Sequence, residues 1–155
     1  MINFDLIQDE IFVGTCPTSL IDIQRLKQAG FSAVLNLQTD HDFSKLGIRW
    51  NQMEEGYMTM GIGVSRVPIV DFDDADLTTN LPTATATLAS IADNGSRIYV
   101  HCTAGQQRAP STVIGYLAWH RNLGLGKALD IVTNARNCAP PLHVLEAVDK
   151  SIAAN

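Results

Sequence analysis

Two residue types at one fixed spacing carry the chemistry this chain could perform. Cys102 and Arg108 lie six positions apart in His101-Cys102-Thr103-Ala104-Gly105-Gln106-Gln107-Arg108. A phosphate monoester presents three equatorial oxygens, and the N–H groups of a five-residue loop can curl around them as a nest. The planar guanidinium of Arg108 can close that ring and grip two oxygens at once. The same positive surroundings favour Cys102 as thiolate. A thiolate beneath a captured phosphate is placed for in-line attack on phosphorus. A solitary cysteine in an apolar strand is usually a small buried hydrophobe. Here the histidine before it, the glycine and arginine at fixed offsets and the proline after them reverse that expectation.

The flanking residues supply the elements such a loop needs. Arg97 to His101 is short, apolar and β-branched, as a buried parallel strand would be. A helical pattern opens at Ala109 with Pro110 in its first turn, where a missing N–H costs nothing. Cys102 thus stands at the carboxyl end of a strand, where open α/β sheets place ligands. The helix behind the loop adds partial positive charge at its N-terminus.

A proton donor for the departing oxygen is the other requirement. Asp71, Asp73, Asp74 and Asp76 put four carboxylates into six residues directly after a strand pattern over Val64 to Val70. Such a run is ordinarily a solvated loop, and it fits no calcium loop because the mid-loop glycine is missing. A mobile acidic loop after a strand can also supply a general acid.

His101-Cys102-Thr103-Ala104-Gly105 followed by Arg108-Ala109-Pro110 resembles the signature loop of the cysteine-dependent dual-specificity phosphatases. Within them it is most similar to the glucan phosphatase and laforin branch, whose loops read Cys-Thr-Ala-Gly-x-Gly-Arg-Ala-Pro. Asn36-Leu37-Gln38 with Asp40 and Asp42 is similar to that branch's recognition segment. The resemblance extends from about Ile11 to Ile152. It implies the cysteine-phosphatase fold of the dual-specificity type, with Cys102 as nucleophile and Arg108 as phosphate clamp. It gives the acid role to Asp71, which opens an Asp-Phe-Asp motif 31 residues before Cys102, and leaves Asp76 in reserve. Thr103, Ala104, Gly105, Gln106 and Gln107 would cradle the phosphate, His101 would orient the loop, and Phe72 would line the substrate channel. Two positions depart from the pattern. Gln106-Gln107 replaces a small pair ending in glycine, and a side chain at 107 narrows backbone freedom. Ala109 replaces the Ser or Thr of many protein phosphatases, as it does throughout the glucan branch.

The rest of the chain bounds these expectations. A length of 155 residues, 46% hydrophobic and 17% charged, suits one globular α/β domain over 1–155. A net charge of −5 argues against a nucleic-acid partner, while one local positive pocket still admits a phosphorylated substrate. No apolar run approaches a membrane span, and Met1 to Asp5 does not read as a signal peptide. Cys16, Cys102 and Cys138 form no Cys-x-x-Cys pair, which fits a reducing, cytoplasmic setting. His41, His101, His120 and His143 show no metal-ligand spacing. Neither metal nor cofactor is expected.

Strand, helix and strand alternate along the chain as in an α/β sheet with mostly parallel strands flanked by helices. Ile11 to Gly14 and Ala33 to Leu37 read as strands. Between them a Ser19-x-x-Asp22 capping box opens a helix that runs to Gly30. Thr39 to Trp50 reads as an irregular polar loop, with Phe43 and Trp50 either tucked in or forming a substrate-facing lip. A weak helix covers 52–60. Thr79 or Asn80 caps a helix ending at Asn94-Gly95, and two more helices run from Lys127 to Arg136 and from Pro140-Pro141 to Ile152. Three functions fit: a phosphatase of phosphorylated glucan, a phosphatase of phosphotyrosine and phosphoserine or phosphothreonine in proteins, and a phosphate-binding module without turnover.

Overall fold

Five strands form one sheet in the computed structural model, which describes residues 1–155. They are β1 (Phe4–Gln8), β2 (Ile11–Gly14), β3 (Ala33–Asn36), β4 (Gly63–Arg66) and β5 (Ile98–His101). Their spatial order is β1-β2-β5-β3-β4, with β1 antiparallel to β2 and every other pair parallel. Side chains alternate across a strand, and here that alternation divides the core in two. Ile98 and Val100 of β5, Ile11 and Val13 of β2 and Leu35 of β3 enter the larger apolar cluster. Their neighbours Tyr99, Phe12 and Val34 enter the smaller one. Strands buried on both faces read as continuous apolar runs, which is why β2, β3 and β5 do.

Seven α-helices cover those faces: α1 (Leu20–Gln28), α2 (Asp40–Leu46), α3 (Trp50–Thr59), α4 (Asp74–Asp93), α5 (Arg108–Gly115), α6 (Leu125–Ala135) and α7 (Leu142–Ala153). Ile23 and Leu26 of α1, Phe43 of α2 and Met53 and Tyr57 of α3 complete the smaller cluster. Leu81 and Leu88 of α4, Val113 of α5, Val132 of α6 and Val148 of α7 complete the larger one. Each fully buried aliphatic side chain of this kind contributes about 1.5–3 kcal/mol. The sheet therefore stands as a rigid floor, and its carboxyl edge carries the loops that matter below.

The structure corrects three of the expectations and adds a strand. Thr39 to Trp50 is not an irregular loop: α2 forms there because Thr39 and Asp42 make a reciprocal capping box, and Phe43 is buried. The helix expected from Thr79 or Asn80 starts at Asp74 instead, capped by Asp73, whose Oδ1 accepts the Asp76 N–H at 2.9 Å. It runs through Pro82. An interior proline costs about 3 kcal/mol, which is offset by burying Leu77 in the added turns at about 1.5–3 kcal/mol and by the cap at about 1 kcal/mol. β4 ends at Arg66 rather than Val70, two residues before Pro68, which has no N–H for a ladder. Finally, β1 forms an antiparallel edge from Phe4 to Gln8, a segment in which the sequence suggested no strand.

Candidate active site

The parallel register places Gly14 of β2 and Asn36 of β3 directly beside His101 of β5. The loops leaving the three strands must therefore meet. The Leu37 N–H donates to the His101 carbonyl at 3.0 Å, and the Gln38 side-chain amide reaches the Thr103 hydroxyl at 3.0 Å.

From Cys102 onward, five successive carbonyls are tied to groups behind the loop. His101 Nδ1 lies 2.9 Å from the Cys102 carbonyl; a carbonyl can only accept, so Nδ1 carries the proton. The Cys16 N–H donates to the Thr103 carbonyl at 3.0 Å. Arg136 donates to the carbonyls of Ala104 (3.2 Å) and Gly105 (2.8 Å). The Ala139 N–H donates to the Gln106 carbonyl at 3.0 Å. In a planar trans peptide the N–H points opposite to the C=O. Holding these carbonyls outward turns the N–H groups of Thr103 to Gln107 to the other, concave side. None of those N–H groups donates in a backbone hydrogen bond outside the helices and strands. The result is a converging set of free donors, completed by the N-terminus of α5.

Gly105 makes the curl possible. Its φ of +66° is left-handed, and a Cβ there would lie 2.6 Å from the Gly14 carbonyl oxygen and 2.7 Å from Arg136 Nη2. Gln107, by contrast, has φ −127°, on the negative side that residues with a side chain occupy. The loop therefore does not call on the left-handed freedom of the family's glycine at 107. Cys102 is buried, at 3% exposure. It lies with Ala104 and Gln106 to Arg108 on one side of a cavity of about 250 Å³, and Asp71 and Phe72 bound the same cavity. A larger depression of about 700 Å³, lined in part by Asp40, Phe43, Arg49 and Trp50, includes none of the loop residues.

Arg108 is the most heavily engaged side chain of the site. Its Nη1 pairs with Asp42 Oδ2 at 2.8 Å and donates to the Ile69 carbonyl at 2.8 Å. Its Nη2 faces outward, 3.3 Å from Asp71 Oδ2 and 3.4 Å from the Thr103 hydroxyl. Burial works to raise the Asp42 pKa, but the bonds from Arg108 and from the Thr39 N–H outweigh it and hold the carboxyl below the usual carboxylate range. His101 is driven the other way: burial foremost, aided by the Arg108 charge, pushes its pKa down to about 4 against the opposing bond to the Cys102 carbonyl. Its ring is therefore neutral near pH 7, which suits a residue that fixes the loop.

The remaining candidates separate clearly. Asp71 meets Arg108 and bounds the cavity. Asp76 does not come to the cavity: its Oδ2 accepts the Val70 N–H at 2.7 Å and its Oδ1 the Asn80 amide at 3.2 Å, so it braces its own loop. Phe72 is 84% exposed with φ +56°, a conformation unusual for an aromatic residue that turns its ring to solvent beside the cavity. Phe43 and Trp50 stack on each other at 5.1 Å with the Arg66 guanidinium over both rings. Phe43 is buried and packs, so the lip reading fails for it, while half-buried Trp50 lines the larger depression away from the loop.

Two roles are not read from the sequence. Asp42 is named there only within the recognition-like segment, and its grip on Arg108 goes unread, although Thr39-x-x-Asp42 repeats the capping pattern read at Ser19-x-x-Asp22. Arg136 gives no local signal, because its partners lie 31 and 32 residues away.

A parallel sheet that delivers a thiol into a ring of inward amides, closed by a buried guanidinium, defines the class of cysteine-based phosphate-loop domains. The chain belongs to the family described as "Dual specificity phosphatase, catalytic domain", whose model matches residues 11–145. It is 32% identical over 153 residues to phosphoglucan phosphatase DSP4, amyloplastic, of Castanea sativa, covering 97% of this chain and 41% of that protein. It is 29% identical over 126 residues to laforin of Mus musculus, covering 74% of this chain and 38% of laforin. The chain thus spans less than half the length of these relatives. The crystal structure of Tk-PTP in its active form shares the fold, with a TM-score of 0.76 at 21% identity over 96% of this chain and 94% of that one.

Proposed function

We propose that this chain is a cysteine-dependent phosphomonoester phosphatase whose substrate is phosphorylated glucan. The observation that carries the glucan reading is Phe72, an 84% exposed aromatic bordering the cavity that holds Cys102. Sugar rings offer flat C–H faces, and stacking them on an aromatic excludes water without needing charge. The likeness to phosphoglucan phosphatase DSP4 along 97% of the chain supports the same reading.

In the mechanism, the phosphoryl group enters the amides of Thr103 to Arg108 and takes over the Nη2 face of Arg108 from Asp71. That exchange releases the Asp71 carboxyl toward the leaving oxygen. The Cys102 thiolate forms an S–P bond as the P–O bond breaks, and the Asp71 carboxylic acid gives the departing oxygen its proton. The Asp71 carboxylate then takes a proton from water, whose oxygen attacks phosphorus and expels the thiolate. The amides and Arg108 stabilise the equatorial charge in both steps, where preorganised electrostatics contribute most. No helix is long and apolar enough to cross a membrane, and all three cysteines are unpaired. We place the reaction in a reducing compartment, where the thiolate survives.

Phosphate release from solubilised phosphoglucan, compared with phosphopeptides at equal protein, tests the substrate. Glucan should be preferred, and Phe72→Ala should depress glucan hydrolysis far more than that of a small aryl phosphate, which needs only the cradle. Clear preference for phosphopeptides, or equal losses on both substrates in Phe72→Ala, would assign the chain to protein phosphatases instead.

A further inference from the structure

Arg136 at the end of α6 is 5% exposed and has no partner in the cavity. A buried guanidinium costs several kcal/mol unless its donors are met, and here they are met in an instructive way. Nε donates to the Gly105 carbonyl at 2.8 Å and Nη2 to the Ala104 carbonyl at 3.2 Å. Nη1 pairs with Asp5 Oδ2 at 3.0 Å and lies 3.4 Å from the Val13 carbonyl. One side chain therefore spans the edge strand β1, the end of β2 and the back of the phosphate loop.

We propose that Arg136 is a positioning residue for phosphoryl transfer: by holding the Ala104 and Gly105 carbonyls behind the loop, it aims the Gly105 and Gln106 N–H groups at the phosphoryl oxygens. Peptide planarity links the gripped carbonyls to the donors. Each carbonyl that Arg136 grips fixes the N–H of the next residue on the opposite face. The loop's other outward bonds come from backbone amides and from His101, so Arg136 alone sets two adjacent peptides with one rigid planar fork. Its charge also lies directly behind the site where an oxyanion binds. Asp5 keeps the fork in place from β1, so the edge of the sheet is coupled to oxyanion capture at its centre. The inference rests on the phosphate-loop reading and is independent of the glucan assignment.

The test uses the intact chain with an aryl phosphate as substrate, tungstate as a competing tetrahedral oxyanion, and a cooperative urea transition followed by circular dichroism as a check that the chain is folded. Arg136→Met should lower kcat/KM on the order of 10²-fold, the loss seen when one oxyanion donor is removed. It should weaken tungstate inhibition in parallel, while the urea transition remains cooperative. Arg136→Lys, which keeps the charge but reaches fewer carbonyls, should recover part of both losses. Asp5→Asn should show a smaller loss in the same direction. Wild-type kcat/KM and tungstate inhibition in Arg136→Met would overturn the proposal. If that variant does not fold, wild-type values in both Arg136→Lys and Asp5→Asn would overturn it. Tungstate binding to the unmutated chain without turnover would instead sink the phosphatase reading while leaving the Arg136 comparison readable through tungstate.

Discussion

Asp42 on α2 holds Arg108 at the end of the phosphate loop through a 2.8 Å ion pair between side chains that are 9% and 3% exposed. The same carboxylate closes the capping box of α2 through the Thr39 N–H at 2.9 Å. One residue thus joins the folding of a short helix to the aim of the Arg108 guanidinium. With Nη1 occupied by Asp42 and by the Ile69 carbonyl, only the Nη2 face of Arg108 is turned toward Asp71 and the loop.

Asp42→Asn should therefore lower both stability and activity. Removing one partner of a buried pair leaves the other charge uncompensated, at a cost of about 3–5 kcal/mol. Urea denaturation measures the first effect, and kcat/KM on an aryl phosphate the second. A variant within about 1 kcal/mol of the parent, the range of exposed pairs, would mean that Asp42 and Arg108 are not a buried pair in solution.

Stability should fall as the solution is acidified, and His101 sets the first part of the window. Its pKa is about 4 in the folded protein against an unperturbed 6.5. Between those values the unfolded chain binds a proton that the folded chain does not, so stability rises with pH across the window and is lost on acidification. The loss amounts to roughly 3 kcal/mol. Asp42 acts lower down: its depressed pKa gives stability that is present above the unfolded carboxylate pKa and lost as pH falls through the folded one. Unfolding free energies at pH 7 and pH 5, which cover only part of the window, should differ by about 2 kcal/mol, and His101→Asn should flatten the difference. An unchanged slope in that variant would show that His101 does not titrate as its burial requires.

Asp71→Asn should cost about 10²- to 10⁴-fold on substrates with poor leaving groups, the usual worth of a general acid. The loss should shrink for an activated aryl phosphate, whose oxygen leaves without a proton. Asp76→Asn should act differently. Asp76 accepts the Val70 N–H and does not line the cavity, so its loss should reduce thermal stability and affect both substrates alike. If the leaving-group dependence appears in Asp76→Asn and not in Asp71→Asn, the acid has been misassigned.

Much of this arrangement is legible in the sequence, and what escapes it does so for physical reasons. β5, Cys102, Gly105, Arg108 and Pro110 are close in sequence, so their spacing alone implied a strand, an anion loop and a helix N-terminus. The core strands were readable because burial on both faces makes them uniformly apolar. The start of α4 was hidden because Pro82, which usually sits near a helix beginning, lies well inside this one. α2 was hidden by its polarity, although its Thr39–Asp42 capping box was written in the chain. Arg136 depends on contacts across the fold and leaves no local pattern; Phe72 is marked by its Asp-Phe-Asp motif, but the exposure of its ring follows from a left-handed backbone that the motif does not announce.

The central claim is that Cys102 takes the phosphoryl group onto its own sulfur, and acid quenching during turnover reads it directly. With an aryl phosphate carrying a labelled phosphoryl group, the quenched protein should hold the label on the peptide containing Cys102. Cys102→Ser should show no label and no turnover, yet still bind inorganic phosphate, since the amides, Arg108 and Arg136 all remain. Turnover that persists in Cys102→Ser, or label found on any other residue of the active protein, would contradict the account.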